Sequence, residues 1–427
     1  MIGHDSGQRD MTIDRFPDKI QAEWRFAAFV VVAGLIVGLI YHFNLWTFDA
    51  NGFSVLSDRL PYWDFTNLWA GSKIALEGNA SVLFDVDAYR AALRAMFSPN
   101  LPDQEWSCPP SIALVGAPLA LLPIMPAYFI WTFGTIALLH VAIRPLGLPL
   151  VVHLAALASP AVFMNAIFGQ NGALTAALLI GGLLLAPKRP LLAGLLFGLL
   201  TIKPHLGILV PFCLIASRNW PAFVSAAVTT AALALVTGIA FGFKVWPLFL
   251  TETGPLMTAI LEAPYPQPYH ANALTVFIMA RAAGAGLALA YGVQGMATAM
   301  AAAFVVWLWL PSTQVDPRRR ALLTATLAIA ATPYGYTYDT IPMCVAVAYM
   351  FAATAQPKLG LLALVWIFPY AVHLLNFQGI GIGILVPLAL AAWMGWTCLR
   401  NRHRADASPG DGDAMSERSQ TVTSVSR

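Results

Sequence analysis

Backbone hydrogen bonding sets the first limit on this chain. From Pro109 onward it is a succession of long apolar runs, rich in Ala, Leu, Gly and Val and only occasionally interrupted by polar residues. A segment that enters lipid must satisfy its N–H and C=O groups internally, so only helices or a closed barrel can cross. The runs lack the alternating pattern of barrel strands. An all-α polytopic membrane protein is therefore expected. Composition agrees, with 58% hydrophobic and 11% charged residues and a mean hydropathy of +0.68, where soluble domains carry about 25% charge. At roughly 20 residues per span, the chain has room for about ten crossings, or about 10–13 membrane helices once re-entrant ones are included.

Charge placement orients the spans. Lys188-Arg189, Arg318-Arg319-Arg320 and Arg400, Arg402 and Arg404 cluster beside span ends, which marks the cytoplasmic side. No basic stripe with interleaved aromatics points to nucleic acid. The four cysteines are scattered and outline neither a disulfide framework nor a metal knuckle. A polar stretch precedes Trp24 and no small-residue cleavage pattern follows the first apolar run, so that run reads as an anchor, not a cleaved signal. The expected organisation is a cytoplasmic segment 1–23, a membrane domain 24–400 and a disordered cytoplasmic tail 401–427.

The main polar interruption, residues 47–108, follows the first span. It carries Asp49, Asp58, Asp64, Glu77, Asp85, Asp87, Asp103 and Glu105. Within it, Phe65 to Leu76 and Asp87 to Phe97 have amphipathic spacing and predict two short helices lying on the membrane surface. Asp64 would cap the first, Gly78 would end it, and Asp85 or Asp87 would cap the second. Trp106 to Pro123 reads as span two and Pro126 to Ile143 as span three. Pro160 breaks the run from Leu148 to Phe168; a re-entrant hairpin there is the preferred reading, because it keeps Lys188-Arg189 inside. Lys203-Pro204-His205 breaks the run from Pro190 to Ala216. Its halves of about 12 residues make roughly 18 Å of helix, too short for a core of about 30 Å, so two half-helices meeting at Lys203-Pro204 are expected.

In this scheme Asp64, Gln170, Asn171, Lys203, His205, His270, Asn272, Arg281, Tyr338 and Asp339 all fall on or near the outer face. Asp64, between Trp63 and Phe65, can be a helix cap worth about 1 kcal/mol or a partly desolvated general base for a sugar or lipid hydroxyl; the two roles are compatible. Lys203 sits deep in an apolar run, where a cation either snorkels to the interface or serves function. The functional reading is a counter-charge for a lipid phosphate, with His205 and Arg281 beside it. Gln170 and Asn171 either start a helix or bind hydroxyls through their amides. Tyr338 and Asp339 either make a turn and cap or bind sugar hydroxyls. His42, His140 and His153 stand singly and read as packing residues. No His, Cys and carboxylate cluster has metal-ligand spacing, and no Walker loop or dinucleotide fingerprint points to ATP or NAD.

Four segments together carry a resemblance. They are Asp64-Phe65 with Trp69-Ala70-Gly71 and Leu76-Glu77-Gly78; Trp106-Ser107-Cys108-Pro109-Pro110 with Ala117-Pro118-Leu119 and Leu122-Pro123; Phe168-Gly169-Gln170-Asn171; and Ala193-Gly194 with Lys203-Pro204. In order and spacing they resemble glycosyltransferase family 87, also called DUF2029, of the GT-C superfamily. The resemblance implies a GT-C helical bundle with a large first periplasmic loop, in the bacterial inner membrane. It also implies a polyprenyl-phosphate sugar donor, usually of mannose, a lipid or glycan acceptor, and inverting transfer at the periplasmic face with no cofactor and no obligate metal. The family's catalytic aspartate maps onto Asp64 and its Lys-Pro onto Lys203-Pro204. Cys108 stands where an aromatic is common, and Asn272 is followed by Ala-Leu where many members have Gln-Ser. The rival expectations are a lipid or solute transporter, which calls for paired broken helices in two repeated halves, and an inactive scaffold.

Overall fold

The computed structural model describes residues 18–353 and 358–406. The protein is an all-α polytopic membrane protein; among the described residues β pairing is limited to two isolated bridges, Phe48 with Ser54 and Ala273 with Tyr336. In chain order the helices are α1 (Asp18–Leu45), α2 (Trp63–Leu76), α3 (Val86–Met96), α4 (Ile112–Ala120), α5 (Ile124–Ile143), α6 (Leu150–Leu157), α7 (Pro160–Phe168), α8 (Gly172–Leu185), α9 (Pro190–Leu199), α10 (Val210–Ala216), α11 (Trp220–Phe241), α12 (Val245–Leu248), α13 (Gly254–Glu262), α14 (Val276–Ala282), α15 (Leu287–Trp309), α16 (Pro317–Leu327), α17 (Ile341–Ala353), α18 (Leu359–Phe377) and α19 (Leu385–Asp406). Six helical stretches among the described residues are long and apolar enough to span a bilayer: those around α1, α5, α6–α7, α11, α15 and α18. Shorter apolar helices complete the bundle.

Side-chain contacts fix which ends share a face, and they correct two expectations. The end of α1 meets the start of α5, where Trp46 stacks on Phe129. The chain from residue 47 to residue 123 therefore leaves and re-enters on one face. The nine-residue α4 is about 14 Å long and does not cross, so the segment read as span two is a short helix packed under α2. The α6–α7 stretch then runs antiparallel to α5. His153 meets His140 near one end, with their ring nitrogens 2.8 Å apart, and the Tyr128 hydroxyl donates to the Ala166 carbonyl at 2.7 Å near the other. A hairpin would return Phe168 to the level of Leu150; instead Ser159-Pro160 only kinks one continuous crossing. The two errors cancel, and Lys188-Arg189 still ends opposite the first loop. The same contact shows that His140 and His153 form a pair and do not stand alone.

The break at Lys203-Pro204 is a re-entrant hairpin, as expected. α9 rises, a tight 3₁₀ stretch carries Lys203 and His205 over the top, and α10 descends. The Asn219 amide then donates to the Ala186 carbonyl at 2.7 Å, so the hairpin begins and ends at one level. α11 runs parallel to α9 from there. Gly194 lies against Ala222 and Ser225, and Gly198 against Ala226 and Thr229; these are the small-residue contacts that let helices approach closely in lipid.

The remaining helices alternate faces. Trp309 bonds Thr324 and Gln294 bonds the Ala330 carbonyl, so α15 and α16 are antiparallel. Tyr349 at the end of α17 bonds Asp316, and the Leu359 N–H bonds Glu23, which starts α1 and α18 at the same face. That face gathers Arg144, Lys188, Arg189, Arg218 and the Arg318 side chain, which reaches toward Gly147. Helix α19 continues through residues 401–406, past the point where the sequence places the start of the tail. Residues 1–17 and 407–427, expected to be a cytoplasmic segment and a disordered tail, lie outside the described residues.

The first loop is more deeply seated than a surface loop. Helix α3 keeps its amphipathic character, burying Tyr89 and Leu93, and Asp85 caps it by accepting from the Ala88 N–H. Helix α2 instead is buried on most of its surface, clasped between the bundle, α4 and Trp106. Arg90 pairs with Asp103 and Glu105, and Arg94 with Asp103, stapling the extended return segment to α3.

With single cysteines introduced into a cysteine-free background, we expect Asn51→Cys and Lys244→Cys to react with an impermeant thiol reagent from one side of the membrane. Lys188→Cys and Arg218→Cys should react only from the other. Labelling of positions 51 and 188 from the same side would break this arrangement.

Candidate active site

Asp64 occupies the second position of α2 and is not its cap; that position is held by Tyr62, without a side-chain bond. Its carboxylate points across to the turn between α7 and α8, where the Gln170 amide donates to Asp64 Oδ2 at 2.9 Å. This contact depends on a close backbone approach. Gly169 has φ +66, and a Cβ there would lie 2.4 Å from Phe65 Cβ. The indole N–H of Trp131 donates to the carbonyls of both Gly169 and Gln170 at 3.1 Å, which holds the turn open toward α2. Asp64 is half-buried. Desolvation pushes its pKa up to about 6, opposed by the Gln170 hydrogen bond and by the positive charges of Arg59 and Lys203. Arg59 itself lies over the Trp63 ring.

The hairpin brings Lys203 up to the same region. Lys203 is buried, and its ammonium group pairs with Asp339 Oδ1 at 2.6 Å and lies 4.9 Å from the centre of the Tyr338 ring. Asp339 in turn accepts the Tyr336 N–H at 3.2 Å, which fixes the turn before α17. Tyr336 stacks on Tyr338, Tyr338 packs edge-on against Phe168, and Gly172 lies against the Tyr338 carbonyl. One polar cluster thus unites Asp64 of α2 with Gln170, Lys203, Tyr338 and Asp339 from three breaks in the helical bundle.

The other sequence-selected residues are distributed around it. Asn171 and His205 are each left with one buried polar atom, Asn171 Oδ1 and His205 Nε2, that has no hydrogen-bond partner. Asn272 accepts from Thr337, beside Tyr338, and meets His373 Nδ1 at 3.1 Å. Arg281 belongs to a second group. It donates to the Ala285 and Glu262 carbonyls and acts on His270, which ties it to the end of α14 and not to Lys203.

Several supporting residues escape a reading of the sequence. Gln104 donates to the Trp63 carbonyl at 2.8 Å, and Asn67 to the Glu105 carbonyl at 2.8 Å. These bonds lay the Trp106-Ser107-Cys108 segment along α2 and bring Cys108 into the field of both Asp64 and Lys203. Trp131 and His373 look like ordinary aromatic residues of a span; only their partners reveal what they hold. Among the described residues no three His, Cys or carboxylate groups come together as a metal site.

A Gly169→Ala substitution should cost about 1–3 kcal/mol, from the left-handed backbone and the clash with Phe65. It should lower Tm in a thermal-unfolding assay, whereas Gly134→Ala, at a position with open space around it, should not.

A family model described as glycosyltransferase family 87 matches residues 106–333, more than half of the chain. The matched segment includes Gln170, Lys203, His205, Asn272 and Arg281, while Asp64, Tyr338 and Asp339 lie outside it. No curated protein and no solved structure matches the chain. With the membrane bundle and its polar cluster, this match identifies the chain: it belongs to glycosyltransferase family 87 and is a multi-pass membrane glycosyltransferase.

Proposed function

We propose that the protein transfers a hexose, mannose in the first instance, from a polyprenyl-phosphate donor to a hydroxyl of a lipid or glycan acceptor, with inversion. In this reading the bundle is of GT-C type and sits in a bacterial inner membrane. The face carrying the first loop is periplasmic and the arginine-rich face cytoplasmic, in keeping with the positive-inside rule. Family membership sets aside the transporter and scaffold alternatives.

The observation that carries the reading is a desolvated carboxylate, Asp64, lying in the field of a buried cation, Lys203, where helices break near one face. Gln170 occupies one oxygen of Asp64 and leaves the other to accept a proton. The acceptor oxygen attacks the anomeric carbon as its proton passes to Asp64. The bond from that carbon to the phosphate oxygen breaks, and the electron pair leaves on the phosphate. Lys203 stabilises the charge that develops there, with His205 beside it. Asp339 holds Lys203 in place until the donor arrives. Tyr338, Asn171 and Asn272 are assigned to the sugar hydroxyls. Arg281, held at the end of α14, is assigned to a more distant part of the donor or acceptor. A lipid-linked sugar is already activated, and a phosphate departs without protonation, so one carboxylate suffices where a glycosidase needs two.

Purified protein supplied with polyprenyl-phosphate mannose and a hydroxyl acceptor tests this directly. Asp64→Asn should lower kcat by about 10²–10⁴, the range of general-base catalysis. The wild-type rate should fall about tenfold per pH unit below pH 6, as Asp64 takes up its proton. Transfer by folded Asp64→Asn at the wild-type rate would exclude Asp64 as the base.

The sign on stability is opposite. A carboxyl whose folded pKa lies above its unfolded value favours the folded state when protonated, so its contribution is lost as pH rises from about 4 through 6. At neutral pH the inactive Asp64→Asn variant should therefore unfold at a higher temperature than wild type.

Lys203→Met alone should cost about 3–5 kcal/mol by stranding Asp339. The double variant Lys203→Met/Asp339→Asn should recover stability without recovering transfer. Recovery of both would make the pair purely structural.

A further inference from the structure

A cavity of about 540 Å³ opens between the first loop and the segment following α11. That is within the roughly 300–1,000 Å³ typical of small-molecule sites. Its walls are the turn Ser81–Phe84 and the start of α3 on one side, Leu248, Glu252, Thr253 and Leu256 on the other, and Trp106. Neither wall alone makes the cavity.

Its chemistry selects a class of ligand. The charged side chains among its walls are Asp85 and Glu252, both carboxylates and both exposed. The start of α3, which would otherwise attract an anion, is already satisfied by the Asp85 side chain bonding the Ala88 N–H. A phosphate or an acidic sugar would meet repulsion here. A neutral polyhydroxyl would find carboxylate acceptors, a threonine and apolar surface. Trp106 completes the wall; it is 2% exposed, and its indole N–H bonds no other group of the protein.

Trp106 and its neighbours lie between the cavity and the candidate active site. Trp106 lies against Gly71 of α2, and the segment it starts carries Cys108, which lies in the field of Asp64. On the far side of Trp106, Gln104 holds the Trp63 carbonyl next to Asp64.

We infer that this cavity is a docking site for the acceptor: it binds a neutral mono- or disaccharide unit and so directs a hydroxyl toward Asp64. The word acceptor rests on the transferase mechanism proposed above; the binding of a neutral saccharide does not.

The test therefore has a binding arm and a kinetic arm. In the binding arm, saturation-transfer NMR on the detergent-solubilised full chain uses methyl mannoside, a neutral mannose disaccharide, glucuronate and mannose 6-phosphate as probes. The neutral probes should bind wild type and Asp64→Asn alike. Leu256→Trp, which fills the cavity from a partly exposed position, should weaken them by about five- to tenfold, the loss of one well-packed contact. Glu252→Lys should raise the affinity for the two anionic probes. Equal binding of neutral and anionic probes to wild type, or neutral binding untouched by Leu256→Trp, overturns the inference.

In the kinetic arm, Leu256→Trp should raise the acceptor KM by a similar factor and leave the donor KM unchanged. A change in donor KM alone would overturn the acceptor assignment. If wild type transfers no mannose from the polyprenyl-phosphate donor while the binding arm holds, the proposed donor fails and the saccharide site stands.

Discussion

The buried pair of Lys203 and Asp339 is the interaction around which the bundle is organised. Neither residue could sit where it does without the other. A single charge in a low-dielectric interior costs several kcal/mol, and attraction offsets that cost only when the geometry is close and the remaining valences are filled. Here the ammonium group meets one carboxylate oxygen at 2.6 Å, and the other oxygen takes a backbone N–H. The pair joins two breaks in the helical pattern, the tip of the re-entrant hairpin and the turn before α17. It ties together segments more than a hundred residues apart and gives each break a polar partner in place of lipid. Retaining such a pair, where an apolar contact would serve stability as well, is reasonable if the cation has a second use at the stage when donor is bound.

Asp64 is placed by different means. No counter-charge touches it. It is set by backbone proximity, with Gly169 against Phe65 and Trp131 gripping the two carbonyls of the turn. The result is a carboxylate with one oxygen occupied and a proton affinity raised by loss of water. Charge complementarity positions the cation and steric fit positions the base. The charge of Lys203 acts on Asp64, and we treat the two as one site.

Much of this was legible in the sequence. The class of fold follows from apolar runs that only helices can satisfy in lipid. Lys203 stands out because a cation is costly in an apolar run, Asp64 because it lies between aromatic residues in the first loop, and Lys203-Pro204 announces its hairpin through the shortness of its two halves. What the sequence hides is pairing. Lys203 reads as a free cation because Asp339, 136 residues away, leaves no local trace. Asp64 reads as a cap because α2 starts at Trp63, two residues earlier than the sequence places it. The kink at Ser159-Pro160 and the short α4 are ambiguous in length alone, since proline is tolerated in a crossing when neighbours satisfy the freed groups, and an apolar segment of nine residues looks the same under a loop as within a span. Only contacts along α5 separate the two.

The parallel docking of α9 on α11 has a mechanical consequence. Gly194 and Gly198 lie one turn apart, each with the partner helix at near-backbone distance. Such a seam has no long side chains to swing or slide, so it acts as a rigid post. The height at which the hairpin tip stands above the arginine-rich face is then set by the rise of α9 from its anchorage at Ala186 and Asn219. A thicker or thinner bilayer would have to adapt to that height, because the post leaves the ammonium group no freedom to follow the lipid.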